Sequence, residues 1–232
     1  MHVLDVTNLK KSYKTPEGAR IVIVDVPAFT LEAGAQVALQ GSSGCGKTTL
    51  LNLIAGILQA DSGSVNLAGK DMARLRESAR DRWRAQHLGY VFQTFNLLQG
   101  YTALENVQLG MMFGKGVNRA YAEHLLERVG LADRMRYRPR QLSVGQQQRV
   151  AVARALANQP KLVLADEPTG NLDHHFATDA LGLIRAVCAE QGAALLLVSH
   201  DPDILRQFDD LRGFDSVNRA AAQPVTIAEG AP

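Results

Sequence analysis

Two cysteines in 232 residues, Cys45 and Cys188, are too few for a disulfide framework and fit a reducing compartment. Strong charge of either sign is also missing: 25 Lys and Arg against 23 Asp and Glu leave a formal charge of +2. The basic residues are scattered among acids, whereas nucleic acid demands a concentrated basic face, so no nucleic-acid partner is expected. Long apolar runs are absent too. The most notable, Ala193 to Val198, falls far short of the ~18–20 residues that cross a bilayer. The N-terminal stretch lacks the charged-then-apolar shape of a signal peptide. These absences lead to the expectation of a soluble, cytoplasmic protein whose membrane role, if any, comes through a partner. With 46% hydrophobic residues the chain can still bury the core of one large domain or two small lobes.

What the sequence does have is concentrated between Val37 and Leu51. A short apolar strand, Val37-Ala38-Leu39, runs into Gly41-Ser42-Ser43-Gly44-Cys45-Gly46-Lys47-Thr48, which satisfies the phosphate-loop pattern G-x-x-x-x-G-K-[ST]. An apolar helix follows, with Leu50, Leu51, Ile54, Ala55 and Leu58 on one face. Gly41, Gly44 and Gly46 let successive amides point at a polyphosphate, and the helix start adds unpaired N–H groups and a positive dipole end. Lys47 is expected to reach the β- and γ-phosphates and Thr48 to bind Mg²⁺. Cys45 reads as a small space-filler. The strand–loop–helix context favours nucleoside triphosphate binding over a mere glycine-rich turn.

The remaining segments are less specific one by one. Residues 3 to 39 read as short strands (Val3 to Val6, Ile21 to Val26, Phe29 to Leu31, Val37 to Leu39) of an antiparallel sheet. Tyr13 is either a half-exposed strand aromatic or a platform for a purine ring. Arg74 to Gln86, with Trp83 inside it, reads as a solvated helix face. Leu88 to Phe92 is a strand ended by Gln93. Thr94 to Gln99 is more apolar than a surface loop should be, which fits either packing or protein docking. Ala103 to Arg138 is helical, with Gly110, Gly114, Gly116 and Gly130 as breaks. Ser143 and Gln146 have capping-box spacing at the start of a helix running to about Asn158. The same geometry, with the Gly145 amide, would also make a second anion site aimed outward. Leu162 to Ala165 is an apolar strand suited to a parallel sheet, ending in Asp166-Glu167 where such sheets place ligands. Asp166 can complete a Mg²⁺ shell and Glu167 can activate a water. His174 and His175 are adjacent, a poor metal pair, and read as surface. Ala194 to Val198 delivers Ser199-His200 to the same sheet edge, where His200 can meet a γ-phosphate. Beyond Gly213 no chemistry is evident, and fraying is expected.

Together the phosphate loop from Gly41 to Thr49, the glutamine of Tyr90-Val-Phe-Gln93, Leu142-Ser-Val-Gly-Gln146, Asp166-Glu167, Asn171-Leu172-Asp173 and Ser199-His200 resemble, in order, the ATP-binding subunit of ABC transporters. The resemblance implies an α/β P-loop NTPase (RecA-like) core, with an N-terminal antiparallel β subdomain and an inserted α-helical subdomain. A single nucleotide-binding domain would divide into residues 1–93, a helical part at 94–158, the rest of the core at 159–212 and a tail at 213–232. It further implies that Tyr13 stacks on adenine, Gln93 senses Mg²⁺ and the attacking water, Glu167 is the catalytic base and His200 holds the γ-phosphate. Asp173 would lie at the subunit interface. A homodimer would sandwich two ATP molecules, Ser143, Gly145 and Gln146 of one copy closing over the phosphate loop of the other. One departure stands out: Val144 replaces the first glycine of the family's commonest signature, which bears on the tightness of that closure.

Phe92-Gln-Thr-Phe-Asn-Leu-Leu98, Gln146-Gln-Gln148 and Thr169-Gly-Asn-Leu-Asp173 look like the ATPases of macrolide efflux and lipoprotein extraction. The function this implies is an ATP-hydrolysing motor subunit, peripheral on the inner face of the cell membrane through a separate transmembrane permease. A periplasmic or envelope component completes the expected assembly. The competing reading is a regulatory subunit that signals to a cell-envelope enzyme and transports nothing.

Overall fold

The computed structural model describes residues 2–170 and 174–221, with the backbone alone for 174–176. In chain order the elements are β1 (His2–Lys14), β2 (Arg20–Glu32), β3 (Gln36–Gln40), α1 (Lys47–Ile54), β4 (Ser62–Leu67), β5 (Lys70–Asp71), α2 (Glu77–His87) and β6 (Leu88–Val91). There follow α3 (Ala103–Met111), α4 (Arg119–Arg128), α5 (Val144–Ala155), β7 (Leu162–Asp166), α6 (His174–Glu190), β8 (Ala194–Ser199), α7 (Pro202–Leu205), β9 (Asp210–Gly213) and α8 (Phe214–Val217).

Alternation of apolar residues builds the first sheet, antiparallel where it pairs and ordered β2-β1-β4-β5. Leu4 faces Leu31, Val6 faces Phe29 and Leu9 faces Val26 across the β1–β2 ribbon. The expected interruption between Val26 and Phe29 does not occur: β2 is one strand through Pro27. It is an edge strand of its sheet, the place where a residue without an N–H is tolerated.

The second sheet is parallel, ordered β6-β7-β8-β3-β9. Every residue of β7 and β8 is buried, as strands covered on both faces require. Along β8, Leu196 and Val198 join the core shared with α1 and the antiparallel sheet. Leu195 and Leu197 point the other way, to a core with Leu181 and Ile184 of α6 and Ile204 of α7. A third core lies among α3, α4 and α5, around Val107, Leu126 and Val150. There Gly110 is not a break. It sits inside α3, where a Cβ would come within 2.8 Å of the Arg154 carbonyl of α5, so its role is close helix approach. α5 itself ends at Ala155, three residues short of the expected end, while α2 is the solvated helix anticipated, with no fully buried residue.

The segment after Gly213 overturns the expectation of fraying, as far as residue 221. Phe214 is packed in the core beside α1 and β3. Asn218 is fully buried; its Oδ1 accepts from the Asp25 N–H at 2.7 Å and its Nδ2 donates to the Ile23 carbonyl at 2.9 Å. The N–H of Arg219 donates to the Asp25 carbonyl at 2.9 Å. This segment therefore continues the edge of β2 and backs the loop after β3. Asn218→Ala would leave the amide of Asp25 and the carbonyl of Ile23 without partners, at about 1–3 kcal/mol each. Phe214→Ala would open a cavity worth about 3–5 kcal/mol. Urea unfolding should show both losses; stability unchanged in both variants would remove the segment from the folded core.

Candidate functional site

Three parallel strands end side by side and supply the site. Register pairs Leu39 with Val198 and Val198 with Asp166, so the tips of β3, β8 and β7 are level. From β3 the chain turns through Gly41 to Gly46 and enters α1 at Lys47. Gly46 is the N-cap, with φ of 101° and no side-chain cap bond, leaving the first amides of α1 uncovered by a side chain. A Cβ on Gly46 would also lie 2.9 Å from the Ile23 carbonyl, so strand β2 leaves room for glycine only.

Lys47 is buried, and its ammonium donates to the carbonyls of Gly41 (2.6 Å) and Ser42 (2.8 Å). Its third neighbour is Oε1 of Glu167 at 3.3 Å. The other carboxylate oxygen of Glu167 meets Nδ1 of His200 at 2.6 Å, the imidazole lying mostly in solvent. Glu167 follows β7 in the left-handed region, φ 45°, uncommon for a side chain of this size. Its N–H is bonded to the Val198 carbonyl at 3.0 Å, and its own carbonyl accepts from Gly170 at 3.1 Å. Those two bonds fix the kink that turns the carboxylate back over the phosphate loop. Strain at such a point is a mark of functional sites.

Asp166, one residue earlier, is buried, and among the described residues its Oδ1 has no hydrogen-bond partner. Burial raises its pKa most, opposed by the Thr48 hydroxyl bonded to it; the Glu167 charge raises it further and Lys47 lowers it. A buried carboxylate oxygen without a partner beside a threonine hydroxyl suits a divalent cation. Among the described residues no three His, Cys, Asp or Glu side chains cluster to hold a metal by themselves. The shell would therefore draw on phosphate oxygens and water, the habit of Mg²⁺.

The cleft between these parts has a volume of about 430 Å³ and is lined by Tyr13, Ile23, Ser43, Gly44, Gly46, Lys47, Thr48, Thr49, Gln93, Glu167 and His200. Tyr13 is half-exposed and Gln93 is exposed. The structure thus brings together residues from six separate stretches of sequence. Others of the expected set stand elsewhere. Gly41, Ser42 and Cys45 border a second hollow behind the loop, with Phe214 and Asp215. A Cβ on Gly41 would lie 2.9 Å from both Cys45 Sγ and Phe214 Cβ, so Cys45 fills space at the back of the loop. Ser143, Gly145 and Gln146 do not line the cleft of their own chain. Ser143 Oγ accepts from the Gln146 N–H at 3.3 Å and Gln146 Oε1 from the Ser143 N–H at 3.0 Å, a complete capping box at the start of α5. Among the described residues, no atom beyond the adjoining residues and the helix's own backbone lies within 4 Å of a Cβ built on Gly145, so this helix start is open. Asp173, with Asn171 and Leu172, lies outside the described residues, as do the side chains of His174 and His175. Ile23 was not foreseen as a cleft residue. Its apolar strand was legible, but nothing in its spacing says that it reaches the loop after β3.

This geometry can be set beside known proteins. The family model described as ABC transporter matches residues 24–170. The chain is 46% identical over 211 residues to the lipoprotein-releasing system ATP-binding protein LolD of Pseudomonas syringae pv. tomato, covering 89% of this chain and 92% of that one. It is 42% identical over 212 residues to the macrolide export ATP-binding/permease protein MacB of Rhodopirellula baltica, covering 89% of this chain but 31% of that longer one. Among solved structures, the dimeric post-hydrolysis state of the ATP-binding cassette MJ0796 with ADP and Pi superposes with a TM-score of 0.82. Its identity is 34%, with 90% of this chain and 93% of that one covered. A phosphate loop facing a glutamate at the tip of a buried parallel strand, together with these likenesses, makes the chain an ATPase cassette of the ABC transporter family.

Proposed function

We propose that two copies of this chain close head to tail over two ATP molecules and drive a separate membrane permease in export or extraction. The observation that carries the reading is Glu167: a carboxylate held over the phosphate loop by a fixed backbone kink, in reach of both Lys47 and His200. The loop amides and Lys47 bind the phosphates, and Tyr13 at the rim stacks on adenine. Glu167 orients the attacking water and accepts its proton, while His200 steadies that carboxylate and the γ-phosphate. Thr48, Asp166 and Gln93 would hold Mg²⁺, which when bound offsets charge on the phosphates. The open start of α5 supplies Ser143, Gly145 and Gln146 to the partner's nucleotide, and Asp173 belongs at the same interface. The related cassette is named as dimeric, which supports this arrangement.

Motion has a route outward. Arg154 of α5 donates to the carbonyls of Asn96 (2.6 Å) and Phe95 (2.7 Å), and the buried Asn106 of α3 brackets Leu98 with bonds to its N–H and carbonyl. The apolar segment 94–99 is therefore tied to the helix whose other end bears Ser143, and half-exposed Leu98 is free to meet a permease. Residues 94–158 act as one lobe in this reading, and 1–93 with 159–212 as the core. Among the described residues no helix is long and apolar enough to cross a membrane, consistent with attachment through that permease. The relatives named for lipoprotein release and macrolide export support an export or extraction complex, which a periplasmic or envelope component would complete.

Two outcomes are expected. Glu167→Gln should slow hydrolysis by about 10²–10⁴ and accumulate as an ATP-bound dimer in light scattering; undiminished turnover would take the base role from Glu167. Arg154→Ala should leave ATP binding within about twofold of the parent, yet lower permease-stimulated turnover by about tenfold or more. Stimulation that survives intact in detergent-purified complexes would rule out segment 94–99 as the transmitter.

A further inference from the structure

Lys47 has three N–H donors, and the protein already supplies three oxygens: the carbonyls of Gly41 and Ser42, and Oε1 of Glu167. Both members of the Lys47–Glu167 pair are largely shielded from water, with side-chain exposures of 6% and 12%, so the pair is not a screened surface contact. We infer that Glu167 is the counter-ion of Lys47 as well as the base, so that capture of a nucleotide is an exchange in which phosphate oxygens displace a carboxylate from the ammonium. The inference rests on the ATP site described under Proposed function and adds a second role to one of its residues.

The geometry allows the exchange at one end only. The backbone of Glu167 is pinned through its N–H to Val198 and through its carbonyl to Gly170, so the residue cannot withdraw as a whole. Its Oε2 stays on His200 at 2.6 Å. Only the Oε1 contact with Lys47, the longest of the four at 3.3 Å, is open to replacement. A phosphate oxygen brings more negative charge to the ammonium than a carboxylate does, and the two anions repel, so they cannot share Lys47 at close range. Once phosphate takes Lys47, Oε1 is released while Oε2 remains anchored, leaving one carboxylate oxygen to accept a hydrogen bond from water. The base is engaged by the same event that seats its substrate. A nucleotide whose phosphates stop short of Lys47 leaves the carboxylate where it is, which discriminates nucleoside di- and triphosphates from monophosphates.

The test is equilibrium binding of ADP and of AMP to the full chain, with ADP chosen so that hydrolysis plays no part. Glu167→Gln removes the charge. Glu167→Asp keeps the charge but shortens the reach to Lys47, and aspartate tolerates the left-handed backbone better than most residues. Both variants should bind ADP about tenfold more tightly than the parent, while AMP affinity stays the same. Tightening by Glu167→Gln alone would mean simple charge repulsion and overturn the exchange, as would equal tightening for AMP or none for ADP. Loss of ADP binding in the parent protein would be a different failure, of the nucleotide site itself. Should either variant melt below the parent, the parent supplies the reading through the ¹⁵N shift of the Lys47 ammonium. That shift should move on adding ADP and stay put with AMP; movement with both or neither rejects the exchange.

Discussion

Hydrogen-bond register across β3, β8 and β7 decides where the phosphate loop, Asp166, Glu167 and His200 can stand. Parallel pairing sets Gln40 beside Ser199 and Asp166 beside Val198, so the three strands end on one level. The phosphate loop, Ser199-His200 and Asp166-Glu167 leave the sheet at neighbouring points although some 160 residues separate the first from the last. A slip of one residue in β7 would turn Asp166 to the opposite face, because side chains alternate with period two. The apolar runs of β7 and β8 protect that register. They are buried on both faces between cores that share no side chain, and a shift would cost both at once.

Burial also explains the chemistry of the carboxylates. Asp166 lies inside the sheet's end, where removal from water raises its pKa, and only the Thr48 hydroxyl and Lys47 offset that cost. Glu167 is one residue further along, just past the end of β7, and the left-handed turn swings it into contact with two basic groups. Two adjacent acids thus meet different environments, one suited to a cation and the other to a water, through a single backbone kink. Neighbouring carboxylates acquire separate duties in this way when surroundings, not identity, set their behaviour.

Much of this was legible in the residues. The glycine spacing and Lys47-Thr48 announced a phosphate loop because its chemistry is local: the amides that bind and the lysine that reaches lie within eight residues. Strands β7 and β8 were legible because double-sided burial leaves an unbroken apolar run. The α/β architecture with a helical lobe followed from those elements together with the family resemblance. What stayed hidden depends on contacts made far along the chain. Nothing in Asp210-Leu-Arg-Gly213 reads as a strand, since two of its four residues are charged; an edge position and the Asp210–Arg212 ion pair explain it. Asn218 looks like a tail residue until Asp25 and Ile23 come within bonding distance. Pro27 looks like a strand end until β2 proves to be an edge.

Val144 departs from the commonest signature without disturbing the start of α5. It occupies the first turn of α5, after the capping residue Ser143, with its side chain half in solvent. The capping box around it is complete, so the β-branched residue has not disturbed the helix start. The N–H groups that would face a phosphate belong to the backbone and keep their direction whatever side chain stands at this position. Gly145, where an incoming phosphate would come nearest, retains open space on the side a Cβ would fill. Valine therefore adds an apolar edge to this exposed surface and removes no donor. In the proposed dimer its effect would fall on how closely two chains approach at that edge, and the start of α5 keeps its geometry.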